Sequence, residues 1–311
     1  MERWLEIPDL SEFIAFVAEK SDIQKPSLIE KDLMIHRILK DIYSSRHFAE
    51  NYLFKGGSCL VKCYFGYYRF SVDLDFTWQD QKAWIDLGKH ELRRRLLEEV
   101  GNLGALLEKI AQDIGLEFKN ELKNKKYFEF GGGSRMVTCK LWKNLELIKI
   151  QVNFVDEILF PHKTITVKTL LDNVQLSKDD MAYFEESLEF YEPFKVKAYD
   201  EKEILCEKVR AILTRRAQKL RDFYDLFMLY KFGYKIEALK EQTIVKIVKI
   251  KACLHYKRYR ANFERNRESL EFSAVLEDPF ERELFVAKPP KDFDVFLKRL
   301  PDALKDIVSQ V

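Results

Sequence analysis

Glycine is scarce in this chain, and its placement limits where the backbone can turn sharply. The 311 residues include only 11 glycines, roughly half of the usual share of about 7%. Five of them stand in two clusters, Gly56-Gly57 and Gly131-Gly132-Gly133. Because glycine adopts backbone conformations that other residues avoid, we expect each cluster to mark a required turn or a close approach of the backbone.

Composition excludes several classes of protein. With 47% hydrophobic and 14% aromatic residues, the chain can form a sizeable core, which excludes wholesale disorder. No apolar run approaches the ~18 residues of a membrane span, and the acidic N-terminus is unlike a signal peptide. The five cysteines include no C-x-x-C pair, so we expect free thiols in the cytoplasm rather than disulfides or a zinc site.

The order of the sequence patterns predicts an α+β fold with two domains. Residues 1–50 have helical periodicity, a short apolar strand begins at Tyr52, and further strand patterns follow up to about residue 198. From about Asp200 the chain is helical to its end. We therefore predict a mixed sheet flanked by helices over residues 1–198 and an all-helical domain over residues 199–311. Gly131–Gly133 is expected to form a hairpin loop.

Residues 53–76 combine a phosphate cradle with a pair of carboxylates. The first strand ends in Gly56-Gly57-Ser58 and a helical turn follows, so backbone N–H groups and the helix dipole favour phosphate oxygens there. On the next strand Asp73 and Asp75 lie on one face. Two such carboxylates repel unless a cation lies between them, and Mg²⁺ is the natural partner. Each motif alone is common in turns and exposed strands, but together they indicate phosphoryl or nucleotidyl transfer.

Two blocks of sequence carry a resemblance to a known family. The first is Phe54-Lys55-Gly56-Gly57-Ser58, followed by Leu60, Lys62 and Arg69-Phe70-Ser71-x-Asp73-Leu74-Asp75-Phe76. The second is Glu207-Lys208-Val209-Arg210-Ala211-Ile212 with Arg215 and Arg221-Asp222-Phe223-Tyr224-Asp225-Leu226. Both resemble motifs of the AbiEii/MenT nucleotidyltransferases, the toxin-type members of the polymerase-β-like nucleotidyltransferase superfamily. The resemblance covers residues 28 to 230 in patches.

The resemblance implies a nucleotidyltransferase-like fold and an enzyme that uses an NTP together with Mg²⁺ or Mn²⁺. It implies that Asp73 and Asp75 bind the metal and that Lys208 and Asp222 complete the catalytic set. The nucleotide-binding residues that it implies are Gly56, Gly57, Ser58, Lys62, Arg69 and Lys208. It also implies a toxin of a type IV toxin–antitoxin system, and therefore an antitoxin partner.

Two positions depart from the family pattern. Val72 replaces an acidic residue, and Gln151 stands on the strand where many nucleotidyltransferases carry a third carboxylate. Because an amide cannot act as a general base, either another group such as the distant Asp156 takes this role or the chemistry tolerates its loss. A non-catalytic module that binds nucleotide or RNA is therefore the alternative. For Asp225 we favour helix packing or a hydrogen bond over a metal or base role.

The helical domain carries a basic segment that suggests an acceptor for the transferred group. Between Lys246 and Arg267 there are eight basic residues and one acid, Glu264, with aromatic residues interleaved. Basic residues follow phosphates and aromatic rings stack on exposed bases, so an RNA end such as that of tRNA is a reasonable acceptor. The candidate RNA-binding residues are Lys251, Lys257, Arg258 and Arg260. A solvated helix face and a small-molecule acceptor are the two alternatives.

Overall fold

Three helices precede the sheet in the computed structural model, which describes residues 10–252, 257–270, 272 and 278–311. They are α1 (Leu10–Ser21), α2 (Pro26–Ser44) and α3 (Arg46–Asn51). Ile29, Leu33 and Ile38 of α2 are buried, since they lie on one side of a helix with 3.6 residues per turn. The helical prediction for this part of the chain is confirmed from residue 10 onward.

A mixed seven-stranded sheet follows these helices. Its strands are β1 (Tyr52–Lys55), β2 (Asp73–Trp78), β3 (Phe128–Gly131), β4 (Met136–Lys143), β5 (Glu146–Asn153), β6 (Lys163–Val167) and β7 (Phe194–Ala198). In space their order is β3-β4-β5-β2-β1-β7-β6. β1 pairs antiparallel with β2 and parallel with β7, whereas β2 pairs parallel with β5. The α+β prediction is therefore confirmed.

Short helices and one long helix connect these strands. After β1 the chain forms α4 (Gly56–Cys59), which continues without a break into a π-helical segment, Leu60–Phe65. The remaining helices of this part are α5 (Lys89–Asp113), α6 (Lys178–Tyr183) and α7 (Glu185–Phe190). Gly131–Gly133 joins β3 to β4, which pair antiparallel with Gly131 opposite Met136, so the predicted hairpin loop is confirmed.

The two faces of the sheet differ in chemistry. Phe76 points to the apolar face, where its ring lies 6.3 Å from that of Tyr43 in α2 and 5.0 Å from that of Phe48 in α3. Alternation along β2 then directs Asp73 and Asp75 to the opposite face, where both are partly exposed. Helices α2 and α3 therefore pack on one face of the sheet, and the two aspartates of β2 lie on the other.

The chain divides into two compact units. The first contains residues 1–156 and 164–198, and the second contains residues 157–163 and 199–311. The helices of the second unit are α8 (Glu201–Thr214), α9 (Leu220–Lys231), α10 (Lys240–Ala252), α11 (Lys257–Glu268), α12 (Pro279–Glu283) and α13 (Lys291–Val308). Sequence reasoning placed residues 157–163 in the first domain, whereas they pack within the helical unit.

A buried ion pair fixes the segment 157–163 within the helical unit. Glu203 of α8 accepts hydrogen bonds from the backbone N–H groups of Leu159 and Phe160 at 2.9 and 2.8 Å. Lys246 of α10 lies 2.5 Å from the other carboxylate oxygen of Glu203 and donates to the Glu157 carbonyl at 2.7 Å. Burial raises the pKa of Glu203, and the Lys246 charge opposes this shift. The pair therefore has a structural role.

The cysteines and the apolar character of the helices were also considered in the sequence predictions. Cys59, Cys63, Cys139 and Cys206 are buried free thiols, and Cys253 lies outside the described residues. No described helix combines the length and the apolar character that a membrane crossing requires.

We expect Lys246→Met to lower the free energy of unfolding by about 3–5 kcal/mol, because it leaves the Glu203 carboxylate buried without its charge partner. Loss of that partner raises the pKa of Glu203 further, so the penalty should be larger at about pH 8 than at about pH 5, where the carboxyl is more readily protonated. Urea unfolding at both pH values measures the effect. Lys249→Met is the matched control, because Lys249 is 61% exposed in its pair with Glu157 and should lose at most about 1 kcal/mol. Equal losses for the two variants would contradict the structural role of Lys246.

Candidate active site

The phosphate cradle predicted from the sequence lies where β1 passes directly into α4. Lys55 is the last residue of β1 and Gly56 is the first residue of α4, and Gly56 has a φ of 76°. This left-handed backbone is readily accessible only to glycine. The first N–H groups of a helix have no partner within the helix, so this junction presents donors suited to phosphate oxygens.

A second requirement for glycine comes from the neighbouring strand. A Cβ atom added at Gly56 would lie 2.6 Å from Oδ2 of Asp75, closer than real Cβ contacts allow. The backbone of Gly56 therefore packs directly against the Asp75 carboxylate. The glycine-rich turn and the acidic strand, which the sequence suggested separately, form one continuous site.

The Ser58 hydroxyl links the same two segments. It donates to the backbone carbonyl of Asp73 and lies 2.7 Å from the Ser71 hydroxyl, and its residue is 1% exposed. This side chain therefore holds α4 against the start of β2. Any contact of Ser58 with phosphate in this arrangement would come from its backbone N–H rather than from its hydroxyl.

The register of the sheet places Gln151 directly beside the acidic pair. Asp75 is opposite Gln151 and Asp73 is opposite Lys149 across the β2–β5 pairing. Directly paired residues point to the same face, so the Gln151 amide occupies the place of a third carboxylate. The described part of the chain contains no group of three or more His, Cys, Asp or Glu side chains that could hold a metal.

The remaining donors nevertheless suit Mg²⁺. This ion is usually held by one or two carboxylates, substrate phosphates and several waters rather than by a complete protein cage. Asp73 and Asp75 are partly exposed on one face, and the N–H groups of α4 lie at the adjacent turn. Two carboxylates next to a phosphate cradle therefore fit this metal without a third acidic side chain.

Lys55 and Asp156 form a further ion pair at the same edge of the site. No role was assigned to Lys55 from the sequence. Lys55 pairs with Asp75 across the β1–β2 register, and its ammonium lies 3.7 Å from Oδ2 of Asp156. Asn153 donates to the same Asp156 oxygen at 3.0 Å. The position of Lys55 next to Gly56 in the motif was the signal. The structure thus brings Asp156, distant in sequence, to the strand that precedes the cradle.

Lys62 and Arg69 lie in the interior rather than on the open face. The Lys62 ammonium is 2.8 Å from Oδ1 of Asp32 and donates to the Tyr67 hydroxyl at 2.7 Å. Burial lowers the pKa of Lys62, and the Asp32 carboxylate opposes that shift. The buried Arg69 donates to the Phe70 carbonyl at 2.8 Å. We therefore assign both side chains a supporting role, in place of the nucleotide contact that the motif implies.

In the helical unit, Lys208 of α8 lies between two carboxylates of α9. Its ammonium is 2.6 Å from Asp222 Oδ1 and 2.5 Å from Asp225 Oδ2. Arg215 forms an ion pair with the other oxygen of Asp222. Burial opposes ionisation of Asp222, but the charges of Arg215 and Lys208 outweigh it and hold the pKa of this carboxyl below its ordinary value. Lys208 and Asp222 are thus brought together, and the Asp225 carboxylate forms an ion pair with the same ammonium group.

Most of the basic segment is engaged within the helical unit. Lys246 is buried on Glu203, and Lys249 pairs with Glu157. Lys251 pairs with Glu264 and lies over the Phe263 ring, 4.6 Å from its centroid.

The remaining basic residues divide into two groups. Arg265 donates to the Arg216 carbonyl and Arg267 pairs with Glu264. Within the described residues, Lys257, Arg258 and Arg260 at the start of α11 make no ion pair. Lys257 and Arg258 are exposed, and Arg260 is half-buried. Of the four candidate RNA-binding residues, these three present cations without a carboxylate partner, whereas Lys251 has one.

We expect Gly56→Ala to weaken Mn²⁺ binding about 10- to 100-fold, because the new methyl group displaces the Asp75 carboxylate. Isothermal titration with Mn²⁺ measures this affinity. Gly66→Ala is the matched control, because Gly66 also has a φ of 76° but nothing lies within 4 Å of its added Cβ. Both variants should lose about 1–3 kcal/mol of unfolding free energy from backbone strain. Equal Mn²⁺ affinity in the two variants would contradict the packing of Gly56 on Asp75.

A comparison with known protein families finds a match over most of the chain. The family model described as "Nucleotidyl transferase AbiEii toxin, Type IV TA system" matches residues 37–309, which include both motif blocks. No curated protein matches the chain. Since the matched residues make up most of the sequence, the chain belongs to the AbiEii family of nucleotidyltransferase toxins.

Proposed function

We propose that this protein transfers a nucleoside monophosphate from an NTP to an RNA acceptor such as tRNA, with Mg²⁺ bound at Asp73 and Asp75. The observation that carries the proposal is the contact between Gly56 and the Asp75 carboxylate. It brings the proposed phosphate cradle next to the two carboxylates that we assign to the metal, and nucleotidyl transfer requires both. Family membership supports the reaction class.

The reaction defines what these residues must do. A hydroxyl oxygen of the acceptor forms a bond to the α-phosphorus of the NTP, the bond to the pyrophosphate oxygen breaks, and the hydroxyl loses its proton. Backbone N–H groups of α4 hold phosphate oxygens, and Ser58 keeps α4 fixed against β2. Asp73 and Asp75 would hold the metal, which supplies charge stabilisation at the phosphates.

The acceptor hydroxyl must lose its proton, and in this step the chain differs from nucleotidyltransferases that have three carboxylates. Gln151 can orient a group by hydrogen bonding, but it cannot accept the proton of the acceptor hydroxyl. Asp156 is a carboxylate near the site, but it accepts a hydrogen bond from Asn153 and forms an ion pair with Lys55. We therefore propose that the proton leaves to solvent or to the substrate phosphates, and that Lys55 and Asp156 maintain the shape of the site.

In the helical unit, the residues of the second motif block take the roles that the family motif implies. Lys208 is assigned to triphosphate binding and Asp222 to the catalytic set, as the second motif block implies. The lowered pKa of Asp222 keeps this carboxyl ionised at neutral pH, so Lys208 has a negatively charged partner. Lys257, Arg258 and Arg260 are assigned to the RNA acceptor because they are the basic residues of the segment without an ion-pair partner among the described residues. We also propose an antitoxin that opposes this activity.

Gln151 favours one alternative function. A module that retained the cradle and lost the third carboxylate would bind nucleotide or RNA without turnover. The same residues are present in both cases, so only a measurement of transfer separates the enzyme from the binding module.

We expect the protein to transfer label from [α-³²P]NTPs to RNA when it is incubated with Mg²⁺ and total tRNA. Asp73→Asn and Asp75→Asn should each lower the rate about 100-fold or more, because each removes a charge that binds the metal. Gel electrophoresis of the labelled RNA measures the transfer, and four separate NTPs identify the nucleotide.

Three outcomes would contradict this prediction. Calorimetric binding of NTP without label transfer to any acceptor would favour the non-catalytic module. Transfer that persists unchanged in Asp73→Asn would exclude the proposed metal site. Gln151→Glu supplies the missing carboxylate, so transfer by this variant alone would show that the natural chain has lost catalysis.

The acceptor generates a further prediction. Replacing Lys257, Arg258 and Arg260 together by glutamine should lower transfer to tRNA and reduce the slope of its salt dependence by about 2, as expected for three lost phosphate contacts on a single strand. NTP binding should be unchanged. Exposed lysines of α13 provide the control, with Lys291, Lys298 and Lys305 replaced by glutamine. Undiminished transfer in the first variant would favour a small-molecule acceptor.

A further inference from the structure

A cavity of about 680 Å³ lies in the helical unit, between α9, the chain at residues 235–237 and α13. This volume lies within the range of roughly 300–1,000 Å³ that is typical of small-molecule sites. Neither motif block nor the proposed reaction uses it. Its lining combines aromatic and aliphatic side chains with three basic and two acidic ones.

The floor of the cavity is aromatic and aliphatic. Phe227 and Phe296 are buried beneath it, with ring centroids 5.7 Å apart. At the rim, Tyr230 is 44% exposed and Val295 is 50% exposed, and the Tyr230 ring lies 5.5 Å from that of Phe296. Exposed apolar surface around a concave site favours a ligand that removes it from water.

Three basic side chains line the same cavity. Lys231 lies over the Phe227 ring, 5.7 Å from its centroid, and Lys235 and Arg299 are exposed. Glu237 and Asp292 line the cavity as well. None of these five side chains forms an ion pair with any residue of the described part of the chain. The cations outnumber the carboxylates, and both guanidinium and ammonium groups remain available to an anion.

We propose that this cavity binds a small organic anion with a flat aromatic body. The aromatic body packs on Phe227 and Phe296 beside Tyr230, and the anionic group lies against Arg299 and Lys235. Offset or edge contacts between aromatic rings stabilise such a complex beyond the area that they bury. The anionic group gains charge-assisted hydrogen bonds from cations that lack a partner in the described structure.

The cavity and the carboxylate partners of Lys208 lie on the same helix, α9. Asp222 and Asp225, the partners of Lys208, lie in the first two turns of α9, whereas Phe227, Tyr230 and Lys231 lie in its last two turns. A ligand in the cavity thus contacts the same helix that positions the Lys208 ion pairs. The binding site itself does not depend on the proposed transferase reaction.

The test uses 8-anilinonaphthalene-1-sulfonate, an aromatic sulfonate whose fluorescence increases in an apolar site, with the full chain. We expect saturable binding of one probe per chain. Arg299→Glu and Lys235→Glu should each weaken binding about tenfold, since each replaces attraction of the sulfonate by repulsion. Lys298→Glu is the matched control, because Lys298 is exposed on the same helix but does not line the cavity, and it should bind the probe like the native chain.

Charge selectivity provides the second arm of the test. Naphthylmethylammonium has a comparable ring and the opposite charge, and we expect it to compete poorly with the sulfonate. The proposal is overturned if the ammonium compound binds more tightly than the sulfonate. It is also overturned if Arg299→Glu and Lys235→Glu bind the sulfonate as well as Lys298→Glu does. Unfolding curves verify that the three exposed substitutions leave the fold intact.

Discussion

The contact between the Gly56 backbone and the Asp75 carboxylate is the constraint on which the candidate active site depends. It requires a residue without a side chain, a left-handed φ and the antiparallel pairing of β1 with β2, all at one position. Ser58 then fixes the following helical turn to the start of β2 through the Asp73 carbonyl. As a result, the backbone of the candidate phosphate cradle and both carboxylates are held by neighbouring elements.

Local patterns in the sequence were sufficient to predict the sheet, the hairpin at Gly131–Gly133 and the pairing of a glycine turn with Asp73 and Asp75. These features depend on periodicity and turn chemistry over a few residues. The contacts of Lys62 with Asp32 and of Lys55 with Asp156 were not predictable in this way. These ion pairs join residues far apart in the chain. The sequence of a motif does not show whether a lysine side chain in it is buried or exposed to solvent.

The number of basic residues in the helical unit also overstates the charge that is available to a partner. Eight basic residues between Lys246 and Arg267 resemble a uniform basic surface in the sequence. In the structure, Lys246 is buried and forms an ion pair with Glu203. Lys249, Lys251 and Arg267 pair with acids, and Arg265 donates to the backbone carbonyl of Arg216. The charge available to a partner is therefore concentrated at the start of α11, and it is smaller than the count of basic residues suggests.

The position of β7 has a consequence for the chain during its synthesis. β7 pairs with β1 through Phe54 and Ala198, so β1 has one open edge until the ribosome has added all the residues between them. At a normal rate of elongation this interval is on the order of 10 s. During this interval, the nascent chain exposes unpaired main-chain groups of β1 beside the candidate active site, and exposed edge strands are prone to aggregate.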